Sequence, residues 1–454
     1  MDNVSTDYRG RFSEKANIVL VGMPLSGKSS LGRALAERLC RPFYDTDAFI
    51  ESRASAPVEE IFAASGEEHF RVLEGQCVED LAGVSGSVIA TGGGTILNSS
   101  LAAILKKNGI LIWLDTELDI LCGRSGGTRP LLAGNRDERF RNLYDERRPF
   151  YLSRSDYRVA NNGDFAAALD DLERLAREIL LPAKINLALV GEPVCHSLSP
   201  LIHRELARIS GINAGYIAHA VSAAELEDWT QSARGFINGF NITMPHKKQI
   251  RSYLDYCHED AERISSVNTV VNKNGFLSGY STDGGGFLLQ LASMGIKPKG
   301  LAAVILGGGG AARAITQALI NEGAPVTVLS ADAHEREALK TLFKTAEVLP
   351  FDLERLKTFP RGLLVNATPL GMRGCEGWQD LSFAGDNWLA VIDLVYLPRE
   401  TALLNTSRMA GINSANGLPM LVYQAILSFE LFTGITFDRE VAYARVKSGL
   451  DILC

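Results

Sequence analysis

The sequence predicts an α/β protein built from several domains, and three observations support this fold class. Short apolar runs rich in β-branched residues alternate with amphipathic helical stretches through both halves of the chain. Two glycine-rich loops of different kinds each follow such a run and precede a helical pattern. The length of 454 residues corresponds to about three domains of ordinary size.

The first domain is predicted over residues 17–182, after a polar segment, 1–16, that we expect to be a flexible tail. Its boundary lies where Leu180-Leu181-Pro182-Ala183 ends an amphipathic helix and a new apolar strand begins at Ile185. The alternation predicts a parallel sheet covered by helices. The predicted strands are Ile18–Val21, Phe43–Tyr44, Val88–Ala90, Ile110–Leu114 and Tyr157–Val159, followed by the helix Phe165–Ile179.

The rest of the chain divides into two further domains. Residues 184–283 are predicted to bind a substrate, and residues 284–418 contain the second glycine loop within a βαβ unit. The helical segment 419–450 is expected to return to the substrate domain, because the polar Gln424 interrupts an otherwise apolar stretch.

Composition and charge exclude several function classes. Lys+Arg of 46 against Asp+Glu of 53 leaves a net charge of −7 without a basic run, so we expect no nucleic-acid partner. The seven cysteines are scattered and odd in number, which indicates neither a disulfide framework nor a zinc site. Neither a secretory signal nor a bilayer-spanning segment is recognisable. We expect a cytoplasmic protein that acts on small molecules, and the oligomeric state stays open.

The first glycine loop has the pattern of a phosphate-binding loop. Gly22-Met-Pro-Leu-Ser-Gly-Lys-Ser29 lies between an apolar strand and a helix, where backbone N–H groups can surround a triphosphate. Lys28 is expected to reach the terminal phosphates and the Ser29 hydroxyl to bind Mg²⁺. An ordinary glycine turn is the alternative. The candidate ATP-binding residues are Gly22, Ser26, Gly27, Lys28, Ser29 and Ser30.

Acidic and basic side chains downstream fit phosphoryl transfer to a hydroxyl. Asp45 and Asp47 follow a strand at i and i+2 and should point to one side. Asp45 can then hold Mg²⁺ through water, while Asp47 orients the attacking hydroxyl and accepts its proton. The arginines Arg71 and Arg147 can bind a substrate carboxylate. A glycine-bounded stretch with Arg124 and Arg129 is typical of a mobile lid, from which Arg129 could neutralise charge on the transferring group.

These motifs occur in one order: GxxxxGKS, FYDTD, FRxxE, GGG, TRPLL and ERRPFY. In this order they resemble shikimate kinase. The resemblance implies a P-loop domain that uses ATP and Mg²⁺, with a lid. It assigns shikimate binding to Asp47, Arg71, Gly93 and Arg147, and ATP and lid roles to Gly27, Lys28, Ser29, Arg124 and Arg129.

The second half contains groups suited to carbonyl reduction. Ser197 and Ser199 form a hydroxyl pair that can hold a carboxylate. Lys247 and Asp283 together suit proton delivery to a carbonyl oxygen that receives a hydride at carbon. The histidines at 196 and 203 lack a third metal ligand and favour a structural role.

The second glycine loop, Gly307 to Ala311 after an apolar strand, has the signature of a dinucleotide site. With GEPVxHSLSP, NxTxPxK, VNT, TDGxG, NATPLGM, DLVY and MLVYQA, residues 185–435 resemble shikimate dehydrogenase. The resemblance implies a two-subdomain enzyme with a Rossmann domain, an NADP(H) cofactor and Lys247 as acid/base. It assigns substrate binding to Ser197, Ser199, Thr243, Asn268, Asp283 and Gln424. Cofactor positions are Gly307, Gly308, Gly309, Gly310, Ala311, Met372 and Gly417.

One segment departs from the family pattern. Leu329-Ser-Ala-Asp332 lacks the usual arginine that binds the 2′-phosphate of NADP, and Asp332 at that position favours a free ribose hydroxyl. NAD use, or use of both cofactors, is therefore an open alternative, with Arg313 or Arg336 as substitute phosphate partners. Quinate as a substrate is also open, although the two retained serines favour shikimate.

The two resemblances together imply a bifunctional enzyme of the shikimate pathway and aromatic amino-acid biosynthesis. Its second half would reduce 3-dehydroshikimate, and its first half would phosphorylate the shikimate formed. The alternative class is a regulatory protein that keeps these folds as metabolite sensors. That alternative is disfavoured because the catalytic candidates Lys28, Asp47, Lys247 and Asp283 are all present and a DNA-binding segment is not evident.

Overall fold

The computed structural model describes residues 11, 13–124, 136–180, 183–372, 375, 377–378, 381–382 and 388–453. These residues form two compact units. The first unit falls within Met1–Pro200 and Asn213–His246, and the second within Leu201–Ile212 and Lys247–Cys454. The predicted α/β class with parallel sheets is confirmed in both units. Among the helices described, none has the length and apolarity needed to cross a bilayer.

The first unit contains a five-stranded sheet in which all neighbouring strands are parallel, in the order β2-β3-β1-β4-β5. Its central strands are apolar and buried, as expected when helices cover both faces of a parallel sheet. The strands are β1 (Asn17–Val21), β2 (Phe43–Asp45), β3 (Val88–Ala90), β4 (Gly109–Asp115) and β5 (Tyr157–Ala160). The helices are α1 (Lys28–Leu39), α2 (Thr46–Ala54), α3 (Val58–Leu81), α4 (Ser99–Lys106), α5 (Leu118–Gly123), α6 (Arg136–Arg154) and α7 (Phe165–Leu180).

The same unit continues into a group of three parallel strands in the order β7-β6-β8, with β7 at the edge. Helix α8 begins in this unit, directly after the loop that leaves β6, and its later residues belong to the second unit. The elements are β6 (Ile185–Gly191), α8 (Ser199–Ser210), β7 (Ala214–Ala220), α9 (Leu226–Ala233) and β8 (Gly239–Ile242).

The second unit opens with short strands and a helix that precede its main sheet. Strand β10 pairs with β11 in antiparallel fashion, and β11 pairs with β9 in parallel. The elements are β9 (Tyr256–Cys257), α10 (Glu259–Arg263), β10 (Thr269–Lys273), β11 (Phe276–Tyr280) and α11 (Asp283–Ser293).

The main sheet of the second unit has six parallel strands in the order β14-β13-β12-β15-β16-β17. This order is that of a doubly wound dinucleotide-binding fold, whose sequence reverses at the first strand, here β12. The strands are β12 (Ala303–Leu306), β13 (Val326–Ser330), β14 (Glu347–Pro350), β15 (Gly362–Asn366), β16 (Trp388–Asp393) and β17 (Asn413–Asn416). The helices are α12 (Gly310–Asn321), α13 (Ala333–Leu342) and α14 (Ala402–Met409).

The C-terminal segment predicted as helical over 419–450 consists of two helices, α15 (Leu418–Thr433) and α16 (Arg439–Leu453). Gly434 ends the first of them with φ of 74°, a conformation that glycine adopts without a steric penalty. Helix α15 packs closely on α11. A Cβ atom at Gly286 would lie 2.7 Å from the backbone nitrogen of Gln424, so the two helices approach each other where only glycine fits.

This close approach predicts that Gly286→Ala is destabilising. The added methyl group meets the Gln424 backbone and forces the two helices apart, so we expect a loss of about 1–3 kcal/mol in the free energy of unfolding. Gly285→Ala is the matched control, since its methyl group would meet only the end of the Leu427 side chain and should change stability by less than about 1 kcal/mol. Thermal and urea unfolding of both variants test the difference. Equal stability of the two variants would contradict this packing.

Candidate active sites

The first glycine loop connects β1 to α1 and has the backbone of a phosphate-binding loop. Gly22 and Gly27 have φ of 150° and 84°, values that disfavour any side chain at either position. Lys28 is buried, and its Nζ donates to the carbonyl oxygens of Gly22 and Met23 at 3.0 and 2.9 Å. The lysine ammonium therefore lies along the loop at the N-terminus of α1, where a phosphate is favoured.

Two residues outside the loop hold it in place. Asn161, after β5, donates from Nδ2 to the Ser26 carbonyl oxygen at 2.7 Å. Arg124, at the end of α5, lies 3.4 Å from the carbonyl oxygens of Leu25 and Asn161. The Ser26 hydroxyl is buried and has no hydrogen-bond partner among the described residues, so a phosphate oxygen could accept from it. The sequence predicted Arg124 beside the nucleotide, whereas no motif pointed to Asn161.

A cavity of about 320 Å³ opens beside this loop and brings together the predicted shikimate-binding and Mg²⁺-binding residues. Asp45 and Asp47 lie on one side, and glycines 92–94 follow β3 on another. The predicted residues that line it are Ser29, Asp45, Asp47, Arg71, Gly93 and Arg147. Ser29 and Asp45 provide a hydroxyl and a carboxylate oxygen at the same cavity, a donor set that fits Mg²⁺. Arg129 lies outside the described residues.

The two aspartates share the cavity for a different reason than the strand spacing suggested. Asp45 is the last residue of β2, whereas Asp47 lies in the first turn of α2. Asp45 caps that helix, because its Oδ1 accepts from the backbone N–H groups of Asp47 and Ala48 at 3.0 and 3.3 Å. The helix start, rather than the alternation of a strand, therefore directs Asp47 toward the cavity.

The two predicted carboxylate-binding arginines have different surroundings. The Arg71 guanidinium bonds to Glu74 and Glu67, each at 2.8 Å, and the buried Glu74 also accepts from Thr95 Oγ1 at 2.6 Å. Arg147 is buried, and its Nε has no hydrogen-bond partner among the described residues. Glu74 was not predicted as a functional residue, although its i, i+3 spacing from Arg71 in the FRxxE motif is a signal for this ion pair.

Gly93 lets the Arg147 guanidinium approach the glycine segment that follows β3. A Cβ atom at position 93 would lie 3.1 Å from Arg147 Nη1, and the Gly93 carbonyl oxygen accepts from Tyr151 Oη at 2.6 Å. Burial raises the pKa of the Tyr151 hydroxyl, which keeps it a neutral donor. Arg147 and Tyr151 are both on α6, four residues apart and thus on one face.

In the second unit, a polar network surrounds the predicted acid/base pair. Lys247 Nζ lies 2.5 Å from Asp283 Oδ2 at the start of α11. Asn268 Nδ2 donates to Asp283 Oδ1 at 2.7 Å and contacts Gln424 Oε1 at 3.3 Å. Thr282 donates its N–H to Asn268 Oδ1 at 2.8 Å. Lys247, Asn268, Asp283 and Gln424, to which the resemblance assigned roles, thus lie in one cluster together with Thr282.

The second glycine loop lies beside this cluster. Gly310 begins α12, and a Cβ atom at this position would lie 3.1 Å from Lys247 Cδ and 2.8 Å from Ser266 Oγ. Gly307 has φ of 104°, and a Cβ there would be 3.0 Å from the Ala367 carbonyl oxygen. A Cβ atom at Gly309 would have no other heavy atom of the described residues within 4 Å. A loop without side chains at a helix N-terminus fits a pyrophosphate.

The predicted serine pair lies in the first unit, in the loop after β6. Ser197 Oγ donates to Ser199 Oγ at 3.2 Å and accepts from the Ser199 backbone N–H at the same distance. Thr243 faces Gly191 across this loop, since a Cβ at Gly191 would lie 2.3 Å from Thr243 Cγ2. Among the described residues no group of three or more histidines, cysteines and carboxylates could hold a metal ion.

The segment after β13 shows which acidic group approaches the dinucleotide loop. Asp332 caps α13, because its Oδ1 accepts from the Glu335 N–H at 2.7 Å. The Glu335 carboxylate instead lies against Gly308, where a Cβ would be 2.6 Å from Oε2, and it accepts from Ser330 Oγ at 2.6 Å. Arg336 bonds to the carbonyl oxygens of Ser330 and Ala331. The sequence favoured Asp332 as the acidic group near the ribose, and no motif pointed to Glu335.

The remaining motifs of the second half stabilise loops at the carboxyl ends of the sheet. Asn366 Nδ2 donates to the buried Asp393 at 2.8 Å, and Asp393 also accepts from Thr401 Oγ1 at 2.6 Å. Burial raises the pKa of Asp393 despite these hydrogen bonds. Gly417 precedes α15, where a Cβ would lie 2.0 Å from the Leu394 carbonyl oxygen. Met372 is partly exposed.

Comparison with known proteins identifies both halves. Family models match shikimate kinase at residues 24–180, the shikimate dehydrogenase substrate-binding domain at 189–270 and the shikimate 5′-dehydrogenase C-terminal domain at 417–447. The NADP⁺-dependent shikimate dehydrogenase of Caldanaerobacter subterraneus is 38% identical over 271 residues, 58% of this chain and 96% of that protein. The chain belongs to the shikimate dehydrogenase family. A shikimate kinase domain precedes the dehydrogenase in the same chain.

Solved structures agree with this assignment. Shikimate 5-dehydrogenase from Thermus thermophilus, in complex with NADP(H) and shikimate, is 33% identical with a TM-score of 0.53 and matches 58% of this chain and 99% of that one. The enzyme from Listeria monocytogenes, in complex with shikimate and NAD, is 29% identical with a TM-score of 0.53 over 60% of this chain and 99% of that one. The protein is thus a bifunctional enzyme of the shikimate pathway, with a kinase and a dehydrogenase in one chain.

The contact between Asn161 and the phosphate loop predicts a specific kinase defect. Asn161→Ala removes the hydrogen bond to the Ser26 carbonyl, and we expect a rise of about threefold to tenfold in the KM for ATP. Asn162→Ala is the control, because that exposed side chain bonds to Glu117 and not to the loop. Initial rates at varied ATP measure the effect. An equal rise in both variants would contradict a role for Asn161 in holding the loop.

Proposed function

We propose that the dehydrogenase half reduces the C3 carbonyl of 3-dehydroshikimate through Lys247 and Asp283. The observation that carries this proposal is the 2.5 Å contact between Lys247 Nζ and Asp283 Oδ2, next to the glycine loop at Gly310. A lysine beside both a carboxylate and a dinucleotide loop is suited to donate a proton to an oxygen that gains charge. NADPH, when bound, supplies the hydride.

Lys247 is the proton donor in this proposal. Its ammonium delivers a proton to the carbonyl oxygen as the carbon receives the hydride, so that ketone becomes alcohol and the amine is left neutral until it regains a proton. Asp283 holds the ammonium with one carboxylate oxygen and is itself held by Asn268 through the other. Asn268 and Gln424 bind substrate hydroxyls, and Ser197, Ser199 and Thr243 bind the substrate carboxylate region.

In the kinase half, we propose that Asp47 accepts the proton of the C3 hydroxyl of shikimate. The hydroxyl oxygen then bonds to the terminal phosphorus of ATP while the bond to the bridging oxygen breaks and ADP leaves. Arg71 and Arg147 bind the shikimate carboxylate, and Gly93 allows the ring to approach the backbone. Support comes from the shared cavity, where these groups line the same space as Ser29 and Asp45.

The charged groups of the phosphate loop complete this proposal. Lys28 and the N–H groups of the loop neutralise charge on the transferred phosphoryl group. Ser29 and Asp45 would hold Mg²⁺, which would supply further positive charge to the phosphates. Arg124 binds ATP, and Arg129 stabilises the charge on the phosphoryl group in the transition state. We further propose a cytoplasmic location, where small-molecule substrates and both nucleotides are available.

The cofactor choice of the dehydrogenase depends on two neighbouring residues of opposite charge. Arg336 places a guanidinium at the end of β13, where the 2′-phosphate of NADP(H) requires a cation. Glu335 places a carboxylate against the glycine loop, where it repels that phosphate and can accept from a free ribose hydroxyl. We propose that NADP(H) is bound through Arg336 and that Glu335 weakens the preference over NAD(H).

Separate substitutions of the two lysines should separate the two activities. Lys247→Ala should lower kcat for the reduction by about a hundredfold to ten-thousandfold and leave phosphorylation unchanged. Lys28→Ala should abolish phosphorylation and leave the reduction unchanged. Lys248→Ala, an exposed neighbour, is the control for the first. Coupled assays of both reactions on each purified variant measure the outcome. Loss of both activities in both folded variants would overturn the assignment of two sites.

Removal of the Glu335 charge should increase selectivity for NADP⁺. Glu335→Gln retains the shape and removes the repulsion, so we expect the ratio of Kd for NAD⁺ to Kd for NADP⁺ to rise about tenfold. Asp332→Asn is the matched control, because Asp332 caps α13 and the amide can retain that cap. Calorimetric titration of the full chain measures both constants. If the ratio of the two Kd values changes in Asp332→Asn but not in Glu335→Gln, the proposed role of Glu335 is wrong.

A further inference from the structure

The edge strand β7 of the dehydrogenase is covered by the kinase domain within the first unit. In an edge strand, alternate residues direct their backbone groups away from the sheet, and these groups need partners. Ala218 N–H donates to Tyr157 Oη at 2.9 Å, and Ala220 N–H donates to Asp156 Oδ1 at 2.8 Å. Lys106 Nζ donates to the Ala220 carbonyl oxygen at 2.7 Å. Kinase side chains therefore occupy hydrogen-bonding positions that a further strand would otherwise fill.

The charges at this contact are buried within the first unit. Lys106 is 4% exposed and Asp156 is fully buried, in an ion pair with Arg11. Burial lowers the pKa of Lys106, and the nearby carboxylates of Glu225 and Asp156 oppose this shift. Burial, together with the cations Arg11 and Lys106, holds the pKa of His219 well below its usual value, so that the imidazole adds no charge. A buried charge left without its partner is costly.

Apolar packing continues across the same contact. One hydrophobic cluster contains Leu172, Ala176 and Ile179 of the kinase helix α7 together with Ala218 and Ala220 of β7. Tyr157, whose hydroxyl accepts from Ala218, belongs to this cluster as well. The two enzymes thus share part of a hydrophobic core. We call this contact the domain interface, formed by Lys106, Leu152, Asp156 and Tyr157 of the kinase and Cys195, Ala218 and Ala220 of the dehydrogenase.

The domain interface also touches the loop that carries the serine pair. This loop leaves β6 at Gly191, which is in register with Ala220 of the covered strand. Cys195 Sγ donates to the Leu152 carbonyl oxygen at 3.3 Å, at the end of the kinase helix α6. Burial raises the pKa of Cys195 to about 12, so the thiol stays a neutral donor. Ser197 follows two residues later, and its N–H donates to the Val194 carbonyl oxygen at 2.9 Å.

We propose that the kinase domain is a structural support for substrate binding by the dehydrogenase, because it covers β7 and holds the loop of Ser197 and Ser199 through the domain interface. Lys106, Tyr157 and Leu152 are positioning residues in this arrangement, acting through the strand and the loop. The expected consequence is selective: a weakened interface should impair binding of shikimate by the dehydrogenase and leave binding of the dinucleotide unchanged. The kinetic part of this inference rests on the proposed dehydrogenase function.

Two variants of the full-length chain weaken the interface with little change in volume. Tyr157→Phe leaves the Ala218 N–H without its acceptor, and Lys106→Met leaves the Ala220 carbonyl without its donor. Lys107→Met and Tyr256→Phe are the matched controls, the first adjacent to Lys106 and the second exposed. Amide hydrogen exchange of residues 214–221 reports directly on the covered strand. We expect exchange at Ala218 and Ala220 to rise about tenfold in the interface variants and to stay unchanged in the controls.

Kinetics of the same variants test the consequence for binding. The KM for shikimate in the NADP⁺-dependent oxidation should rise about threefold to tenfold, while the Kd for NADP⁺ and the kinase KM for ATP stay at the wild-type values. If amide exchange at Ala218 and Ala220 stays unchanged in the interface variants, the proposed domain interface is wrong. If this exchange rises but the KM for shikimate does not, the proposal that the interface supports the loop of Ser197 and Ser199 is wrong. A parallel rise in the Kd for NADP⁺ would contradict the proposal that the interface affects shikimate binding alone. Wild-type chain that fails to oxidise shikimate would refute the dehydrogenase function instead, and the exchange measurement would still test the interface.

Discussion

Parallel pairing of buried apolar strands is the constraint on which both active sites depend. The glycine loops leave β1 and β12, and each of these strands has a parallel neighbour on both sides. Because parallel strands end at the same edge of a sheet, residues far apart in sequence meet beside the phosphate loops. In the kinase, β1, β2 and β3 bring the loop, the two aspartates and the three glycines to one cavity.

In both halves, neighbouring side chains hold the candidate catalytic and binding groups in place. Glu74 orients Arg71, Asn161 holds the phosphate loop, and Asn268 fixes the carboxylate that contacts Lys247. Such support restricts each reactive group to one position before a substrate arrives, which lowers the entropic cost of reaching the transition state. These supporting residues also explain why several motifs of the chain extend beyond the reactive positions themselves.

Fusion of the two enzymes in one chain has a structural consequence in the first unit. The kinase sheet ends at β5, and the residues Asp156 and Tyr157 at the start of that strand bond to the edge strand of the dehydrogenase. The unpaired backbone groups of an exposed edge strand can pair with another chain and cause aggregation, and here a neighbouring domain covers them. Consecutive reactions of one pathway are thus carried by domains that share hydrophobic core, although each keeps its own nucleotide loop.

The sequence by itself determined the α/β class, the strands of the first domain and both nucleotide loops, because strand and loop patterns depend on local periodicity and on glycine positions. Family resemblance extended this to the groups that the structure brings together, such as Lys247 with Asp283. Only the tertiary structure decided that Asp332 caps a helix while Glu335 reaches the dinucleotide loop, and that kinase side chains cover β7. These features depend on contacts between segments that are distant in sequence and on which neighbour forms a hydrogen bond with each polar group. Local sequence patterns contain neither kind of information.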